Sequence, residues 1–460
     1  MTPTINHHST VPGGYPVERG IPFSTRMDFG AWVDPAPVVS GNREFIRAWT
    51  TRRSAVLAAL GAEGKIYDAK GADFTPVAAK QHELVVFSPG FAPDHPWLER
   101  ARAAGAECLG ELDFASLFWH GKLVAVTGTN GKTTLTEFLA PALASIGRVA
   151  HVTGHPGNPF AKFVAEKRGG ARDAIAICEV SSFQAETLRH FRADATLWTN
   201  FAEDHLERHA GLEGYFSAKW NLVAHTAPHS TFVGSSVTRF AQKFERPLAP
   251  ASCIATEGQP GDARLTRTVF AEYPQRENFL LAAAWWRAAG HDEAALFSAA
   301  RNFRLGRHRL ARLVEHDGVV FWNDSKATNF HAVEAALAGF AAPVVLIAGG
   351  KPKGGDLAGF VHRIAPRVKH AVLIGQASAE LAFHCSTFRV AHTSCATLEE
   401  AVRRAAELAA PGEHVLFSPG FASFDMFRSY EDRGDQFERL ARDLPCGELS
   451  RTAASATSLR

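Results

Sequence analysis

The chain has 460 residues, 46% of them hydrophobic and 21% charged, which is length and apolar content enough for two to four domains with real cores. Its 49 Lys and Arg nearly balance 47 Asp and Glu, and no basic, aromatic-interleaved stretch occurs, so nucleic acid is not an expected partner. No apolar run of about 18 residues could span a membrane. Residues 1–14 lack the apolar core of a secretory signal, and the six cysteines lie far apart with no metal or disulfide spacing. The expectation is a soluble cytoplasmic protein with reduced thiols and no membrane insertion.

In chain order, residues 1–40 are Pro- and Gly-rich without a sustained period and read as a partly disordered extension. From about 43 the pattern is helical, then strand-like, with an apolar strand at 83–90 and a helix at 96–104. A buried strand at 123–128 precedes a helix in which Leu135, Phe138, Leu139, Leu143 and Ile146 share one face and which stops at Gly147. Further strands are predicted at 174–180, 195–199, 319–322, 344–348, 371–374 and 414–417, most of them separated by helical stretches, the alternation of parallel sheets covered by helices. The segment 231–272 reads as irregular or β-rich. A domain boundary is placed at Gly306-Arg307-His308-Arg309, and the tail 445–460 reads as disordered. Phe87-Ser-Pro-Gly-Phe-Ala92 recurs as Phe417-Ser-Pro-Gly-Phe-Ala422. Both close a strand at its carboxyl end, as ligand loops or merely as strand-exit turns.

The strongest local signal is Thr127-Gly128-Thr129-Asn130-Gly131-Lys132-Thr133-Thr134, set between a predicted strand and a predicted helix. Glycines let the backbone N–H groups face a phosphate, the helix N-terminus adds its positive end, and Lys132 supplies a full charge. Thr133 is placed for a Mg²⁺ ion. Position 126, where the usual Walker spacing has glycine, is valine. Glu179 closes a buried strand, a costly place for a carboxylate unless it is paired or binds a metal. The loop after the next strand gathers Asn200, Glu203, Asp204, His205 and His209, and Lys219 follows on a helical stretch, where alone it would be read as a solvated lysine.

Together these segments resemble the Mur ligases, ATP-dependent amide-bond formers of peptidoglycan synthesis. The likeness extends through Glu179-Val-Ser-Ser-Phe-Gln184, Glu203-Asp-His205, Arg307-His-Arg309, Asn323-Asp-Ser-Lys-Ala-Thr-Asn329 and Gly349-Gly-Lys-Pro-Lys-Gly-Gly-Asp356, from about Lys65 to Leu444. The closing run from Ser418 through Ser423 and Tyr430 to Gly434 resembles the member that adds glutamate. The implied fold is α/β in three domains, each on a mostly parallel sheet flanked by helices. They are a Rossmann-like UDP-substrate domain (41–120), a P-loop ATPase-like central ATP-binding domain (121–306) and a Rossmann-like C-terminal glutamate-binding domain (307–444).

The resemblance also implies roles. Lys132 and the loop Gly128, Thr129, Asn130, Gly131, Thr133 and Thr134 would hold the ATP phosphates. Two Mg²⁺ ions are implied, one on Thr133 and Glu179, the other near His205 and Lys219, the lysine carbamylated by CO₂. Asn278, Arg309 and Asp324 would grip ATP, with Lys326 near the phosphates. Asn158 would approach the sugar-linked substrate, Thr328 and Lys353 would anchor the α-carboxylate of glutamate, and Ser423 and Tyr430 its side-chain carboxylate. The implied reaction is addition of D-glutamate to UDP-N-acetylmuramoyl-L-alanine. The acceptor carboxylate takes the γ-phosphoryl group, and the amine then displaces phosphate from the acyl phosphate. A monomer is expected. The alternative is a related ligase using L-glutamate or another acceptor.

Four departures stand against this pattern. Lys219 follows His205 at a spacing of fourteen, one shorter than the family leads one to expect. The stretch 44–64 lacks the Gly-rich turn that holds UDP in the family, although Asp68 and Lys70 partly restore the following strand end. The adenine-side motif reads Glu277-Asn278-Phe-Leu-Leu281, with leucine where a second asparagine is common. Tyr430 replaces a common phenylalanine.

Overall fold

Short apolar runs rich in Val, Ile and Leu build three sheets in the computed structural model, which describes residues 38–39, 66–67, 74–82, 84–154 and 158–444. The expectations for residues 1–37, for 40–65, for Asp68 and Lys70, and for the tail 445–460 lie outside the described residues. By backbone contacts the chain forms two compact units. One comprises the described residues up to Lys122 with Thr153–Ala174 and Phe183–Arg192, and the other holds Leu123–Val152, Ile175–Ser182 and the chain from Ala193 onward.

The first unit is built on strands β1 (Val38–Val39), β2 (Ile66–Tyr67), β3 (Leu84–Phe87) and β4 (Glu107–Gly110), ordered β2-β1-β3-β4 with every pair parallel. All four residues of β3 are buried, and Phe74, Phe91, Leu98 and Ala101 pack with Val85 and Phe87 in one core. The predicted helix at 96–104 is Pro96–Ala103, with proline in its first turn, where its missing N–H costs nothing. Two buried carboxylates explain why 153–174 and 183–192, read from sequence as part of the central domain, pack here. Asp113 Oδ1 accepts from the backbone N–H groups of Arg189, His190 and Phe191 at 3.1, 2.8 and 2.7 Å. Glu111 accepts from Ala161 N at 2.5 Å, and burial pushes its carboxyl up to about 7.

The second unit carries two sheets. The five-stranded one holds β5 (Lys122–Thr127), β6 (Ala150–Thr153), β7 (Ile175–Glu179), β8 (Ala195–Trp198) and β9 (Thr231–Val233) in the order β6-β7-β5-β8-β9. Helices α1 (Lys132–Ser145), α2 (Leu212–Ala224) and α3 (Gln275–Ala288) accompany it. Val124, Val126, Ile177 and Leu197 share a core with Leu135, Phe138 and Leu139 of α1 and Phe279 and Trp286 of α3. The helical period read from the sequence therefore marks the face of α1 that packs on the sheet.

The six-stranded sheet holds β10 (Ala311–His316), β11 (Val319–Asn323), β12 (Val344–Gly349), β13 (Val368–Ile374), β14 (His392–Ser394) and β15 (His414–Phe417), ordered β10-β11-β15-β12-β13-β14. Its pairs are parallel except β10 with β11. Apolar cores lie on both faces, as a parallel sheet covered by helices requires, and α4 (Phe330–Ala338) contributes Val333, Ala336 and Leu337 to one of them.

The predicted strands are all present within one to three residues. The sequence reading missed β4, β6, β9, β10 and β14, which are short or polar. It also missed the two-residue β1, which lies within the stretch 1–40 read as a partly disordered extension and pairs with β2 and β3. The segment 231–272 holds β9, a helix over Ser235–Lys243 and two short 3₁₀ turns, so it is partly helical where an irregular or β-rich stretch was expected. The helix was hidden because its buried residues, Ser236, Val237 and Ala241, are small and partly polar.

Candidate active site

Strand β5 lies in the middle of its sheet and delivers the phosphate loop at its carboxyl end. Gly128 has φ 147° and Gly131, the residue before α1, has φ 83°. Side chains at these positions would be strained and would collide: a Cβ on Gly128 would lie 1.9 Å from Thr199 Oγ1, and one on Gly131 2.5 Å from Asn278 Oδ1. The loop is braced from behind. Asn200 Oδ1 accepts from Asn130 N at 2.9 Å, Thr199 Oγ1 donates to Asn130 O at 2.6 Å, and Thr129 Oγ1 donates to Ala202 O at 3.1 Å. Lys132 turns back on its own loop, with Nζ donating to Gly128 O at 2.9 Å and Thr129 O at 3.0 Å. Thr134 is buried.

Glu179, at the end of β7, accepts from Thr133 Oγ1 at 2.8 Å. Its partner is thus a hydroxyl beside the phosphate loop. Both groups are hard oxygen donors, and the set fits a Mg²⁺ ion. Lys219 on α2 is 1% exposed, which overturns the plain reading of it as a solvated lysine. Its Nζ donates to Thr127 Oγ1 at 3.2 Å and Gly128 O at 3.0 Å. Burial, and then the Lys132 charge, hold its amine well below the ordinary lysine range. His205 takes a left-handed conformation, φ 52°, at the start of the short helix Leu206–His209. Its Nε2 lies 3.7 Å from Asp204 Oδ2 and its Nδ1 3.8 Å from Glu207 Oε1, and burial lowers its pKa.

The ends of β11, β12 and β15 supply the facing groups. Asp324 is buried, accepting from Ser418 Oγ at 2.8 Å and Leu310 N at 3.0 Å. Burial pushes its carboxyl up to about 7 against the pull of those two hydrogen bonds and of the Arg309 and Arg433 charges. Lys326 Nζ sits over the Tyr430 ring, 3.7 Å from its centre, and burial and then Arg309 lower its pKa to about 8. Lys326 also feels Glu179 and Lys132, and Tyr430 feels Arg309 and Glu179, so these residues form one electrostatic cluster with the phosphate loop.

A shallow cleft is lined by Glu203, Asp204, Thr328, Asn329, Lys353 and Phe421 among others. In it Lys353 Nζ donates to Asp204 Oδ1 at 2.8 Å. Lys353 is the largest favourable influence that keeps the Asp204 carboxyl below its usual range despite burial.

Not every residue singled out in the sequence falls into this cluster. Ser423 is buried and does not line the cleft, and its carbonyl accepts from Met426 N and Phe427 N. Asn158 belongs to the first unit, where its carbonyl accepts from Gly154 N at 3.0 Å. Asn278 Nδ2 donates to Gln275 Oε1 at 2.8 Å, with its amide against Gly131. Arg307 pairs with Asp435 and Glu438 instead of with the cluster. Sequence reasoning missed Thr199, Asn200 and Ser418 as braces. The first two stand at the end of β8, the strand paired with β5, which is the signal that could have found them.

Residues 126–284 match the Mur ligase middle domain, and residues 308–421 match the Mur ligase, glutamate ligase domain. The UDP-N-acetylmuramoylalanine--D-glutamate ligase of Geobacter metallireducens is 35% identical over 386 residues, which cover 80% of this chain and 84% of that protein. The enzyme of the same name from Gloeobacter violaceus is 37% identical over 402 residues, covering 84% and 89%. The chain belongs to the Mur ligase family. The Mur ligase fold is repeated in the MurF ligase of Thermotoga maritima solved in complex with ADP. That structure has a TM-score of 0.53 at 15% identity, covering 80% of this chain and 96% of that one. The Mur ligase middle-domain match opens on Val126 and takes in the whole phosphate loop. The glutamate ligase match runs through Asp324, Lys326, Thr328 and Lys353 and ends before Ser423 and Tyr430. Among the described residues, no helix is long and apolar enough to cross a membrane.

Proposed function

We propose that this Mur ligase joins D-glutamate to the carboxylate of UDP-N-acetylmuramoyl-L-alanine at the expense of ATP, through an acyl phosphate. The observation that carries the reading is the meeting of a phosphate loop with a second set of cations within one unit. Lys132 and the loop amides stand on one side, and Arg309, Lys326 and Lys353 on loops that flank strands of the other sheet. Relatives of this name at 35% and 37% identity support the choice of substrates.

Each residue then has a share of the work. The loop amides and Lys132 bind the β- and γ-phosphates. Thr133 and Glu179 would hold one Mg²⁺ ion, which neutralises phosphate charge as it is transferred. Arg309 and Asp324, with Asn278, grip the nucleotide, and Lys326 stands ready for charge that develops on the transferred group. Thr328 and Lys353 orient the amino acid in the cleft, with Ser423 and Tyr430 assigned to its distal carboxylate. The neutral amine attacks the acyl carbon, the C–O bond to phosphate breaks, and the proton released from nitrogen leaves with inorganic phosphate. Asn158 and its unit hold the UDP-sugar side of the acceptor. The protein's contribution is positioning and charge neutralisation.

Lys219 is assigned as a carbamate. Its buried amine is held below the ordinary lysine range, so a nucleophilic neutral form is available for CO₂, with one proton released as the N–C bond forms. The product is an anionic oxygen donor which, with His205, would suit a second Mg²⁺. The unmodified amine, a donor to Thr127 and Gly128, would not. The enzyme is read as a cytoplasmic monomer, since ATP is supplied there.

The test is phosphate release from ATP by the full chain with UDP-N-acetylmuramoyl-L-alanine and either D-glutamate, L-glutamate or no amino acid. Release that requires D-glutamate supports the reading. Release with L-glutamate moves it to the alternative, and absence of release in all three overturns it.

A further inference from the structure

A line of hydrogen-bonded side chains, with the buried Asn329 at its centre, runs from the phosphate loop to the amino-acid cleft. Asn130 stands between the two left-handed glycines of the loop. Its Nδ2 donates to Asn329 Oδ1 at 3.1 Å, and its Oδ1 accepts from Asn329 Nδ2 at 3.1 Å, a reciprocal amide pair across 199 positions of sequence. The same Nδ2 meets His331 Nδ1 at 3.0 Å. Asn329, 6% exposed, sends its other amide hydrogen to Asp204 Oδ2 at 3.2 Å. Asp204 Oδ1 in turn holds Lys353 Nζ at 2.8 Å.

We propose that Asn329 is a positioning residue that couples the phosphate loop to Lys353, so that nucleotide and amino acid each bind more tightly when the other is present. This rests on the ligase reading given above. All the hydrogen-bonding capacity of the Asn329 amide is used. Oδ1 accepts from Asn130 and from Ala332 N at 2.9 Å, and Nδ2 donates to Asn130 and Asp204. At the buried Asn329 amide, with no donor or acceptor to spare, moving one partner leaves a group unsatisfied, and that penalty is what transmits a shift. Nucleotide phosphates that draw the loop amides inward carry Asn130 with them. Asn329 must follow or lose its pair, and Asp204 then fixes the direction in which Lys353 points. Lys353 keeps two of its three N–H donors for a carboxylate. Because the link is thermodynamic, it works equally in the other direction.

Asn329 also caps α4, so a purely structural role must be separated from coupling. Asn329→Ser keeps a capping oxygen for Ala332 N but cannot reach Asn130 or Asp204. Wild type is assayed first, and inactivity there refutes the ligase reading before any variant is considered. With wild type active, Asn329→Ser is expected to keep the wild-type circular dichroism, with a melting temperature lowered by the lost hydrogen bonds, and to raise the KM for D-glutamate about tenfold, within the usual range of coupling. In calorimetry on the full chain, D-glutamate should no longer tighten a non-hydrolysable ATP analogue. Asn130→Ala, which removes no helix cap, should raise the same KM by a similar factor, and the double variant by no more than either single one, because both cut one link. An unchanged glutamate KM in Asn130→Ala, or single effects that multiply in the double variant, overturns the proposal even if Asn329→Ser proves unstable.

Discussion

Replacing Ser418 with alanine should move the acid limb of the pH–activity profile. Asp324 sits in the fold with a carboxyl at about 7 because burial disfavours its charge, and the Ser418 hydroxyl at 2.8 Å is the first of the opposing influences. A hydrogen bond to a charged group contributes roughly 1.5–3 kcal/mol. At about 1.4 kcal/mol per pH unit, its loss should carry the acid limb up by roughly one to two pH units. The sign follows from the direction of the shift. A carboxyl raised above the ordinary aspartate value favours the protonated form in the fold. Stability from this group is therefore full below about pH 4 and lost as pH rises through about 7, while the ionised form, which the proposed mechanism needs at the nucleotide, is lost as pH falls through the same range. At pH 7.5 wild type has about three quarters of Asp324 ionised, and the variant between about one quarter and a few per cent, so kcat/KM for ATP should fall about 3-fold to 25-fold. The assay is kcat/KM for ATP, by phosphate release, from pH 6 to 9, with Asp324→Asn as the control that cannot ionise and shows no acid limb. An acid limb that stays at the wild-type position, or a loss equal at every pH, refutes the reasoning.

Three further outcomes are expected. Glu179→Gln and Thr133→Ala should each lower kcat about a hundredfold or more and raise the Mg²⁺ concentration needed for half-maximal phosphate release. Gly128→Ala, whose new Cβ would lie 1.9 Å from Thr199 Oγ1, should abolish nucleotide binding in calorimetry while the circular dichroism of the chain stays that of wild type, since the clash is confined to the loop. Isotope-labelled CO₂ should give a carbamate carbon signal in wild type that is absent in Lys219→Met, and removal of CO₂ from the assay should lower wild-type activity reversibly.

What the sequence determines by itself is whatever depends on chain neighbours. The phosphate loop is legible because strand, glycines, lysine and helix are contiguous, and covalent geometry carries most of its shape. The inner parallel strands, such as β5, β7, β12 and β15, are legible because burial on both faces leaves continuous apolar runs. Strand β10 is not, because only His316 of its six residues is buried and Arg312 and Glu315 face outward, leaving no apolar pattern to read. The functional meaning of Lys219 is open in the sequence, where a lysine on a helix is ordinarily solvated. Only packing puts it at 1% exposure against the loop carbonyl of Gly128. The same holds for Asn130, Asn329, Asp204 and Lys353. Each stands in a motif that the sequence marks out, but their connection exists only when distant strand ends are brought to hydrogen-bond distance. Hydrogen bonds act over about 3 Å, and no local pattern can encode a contact across 199 residues.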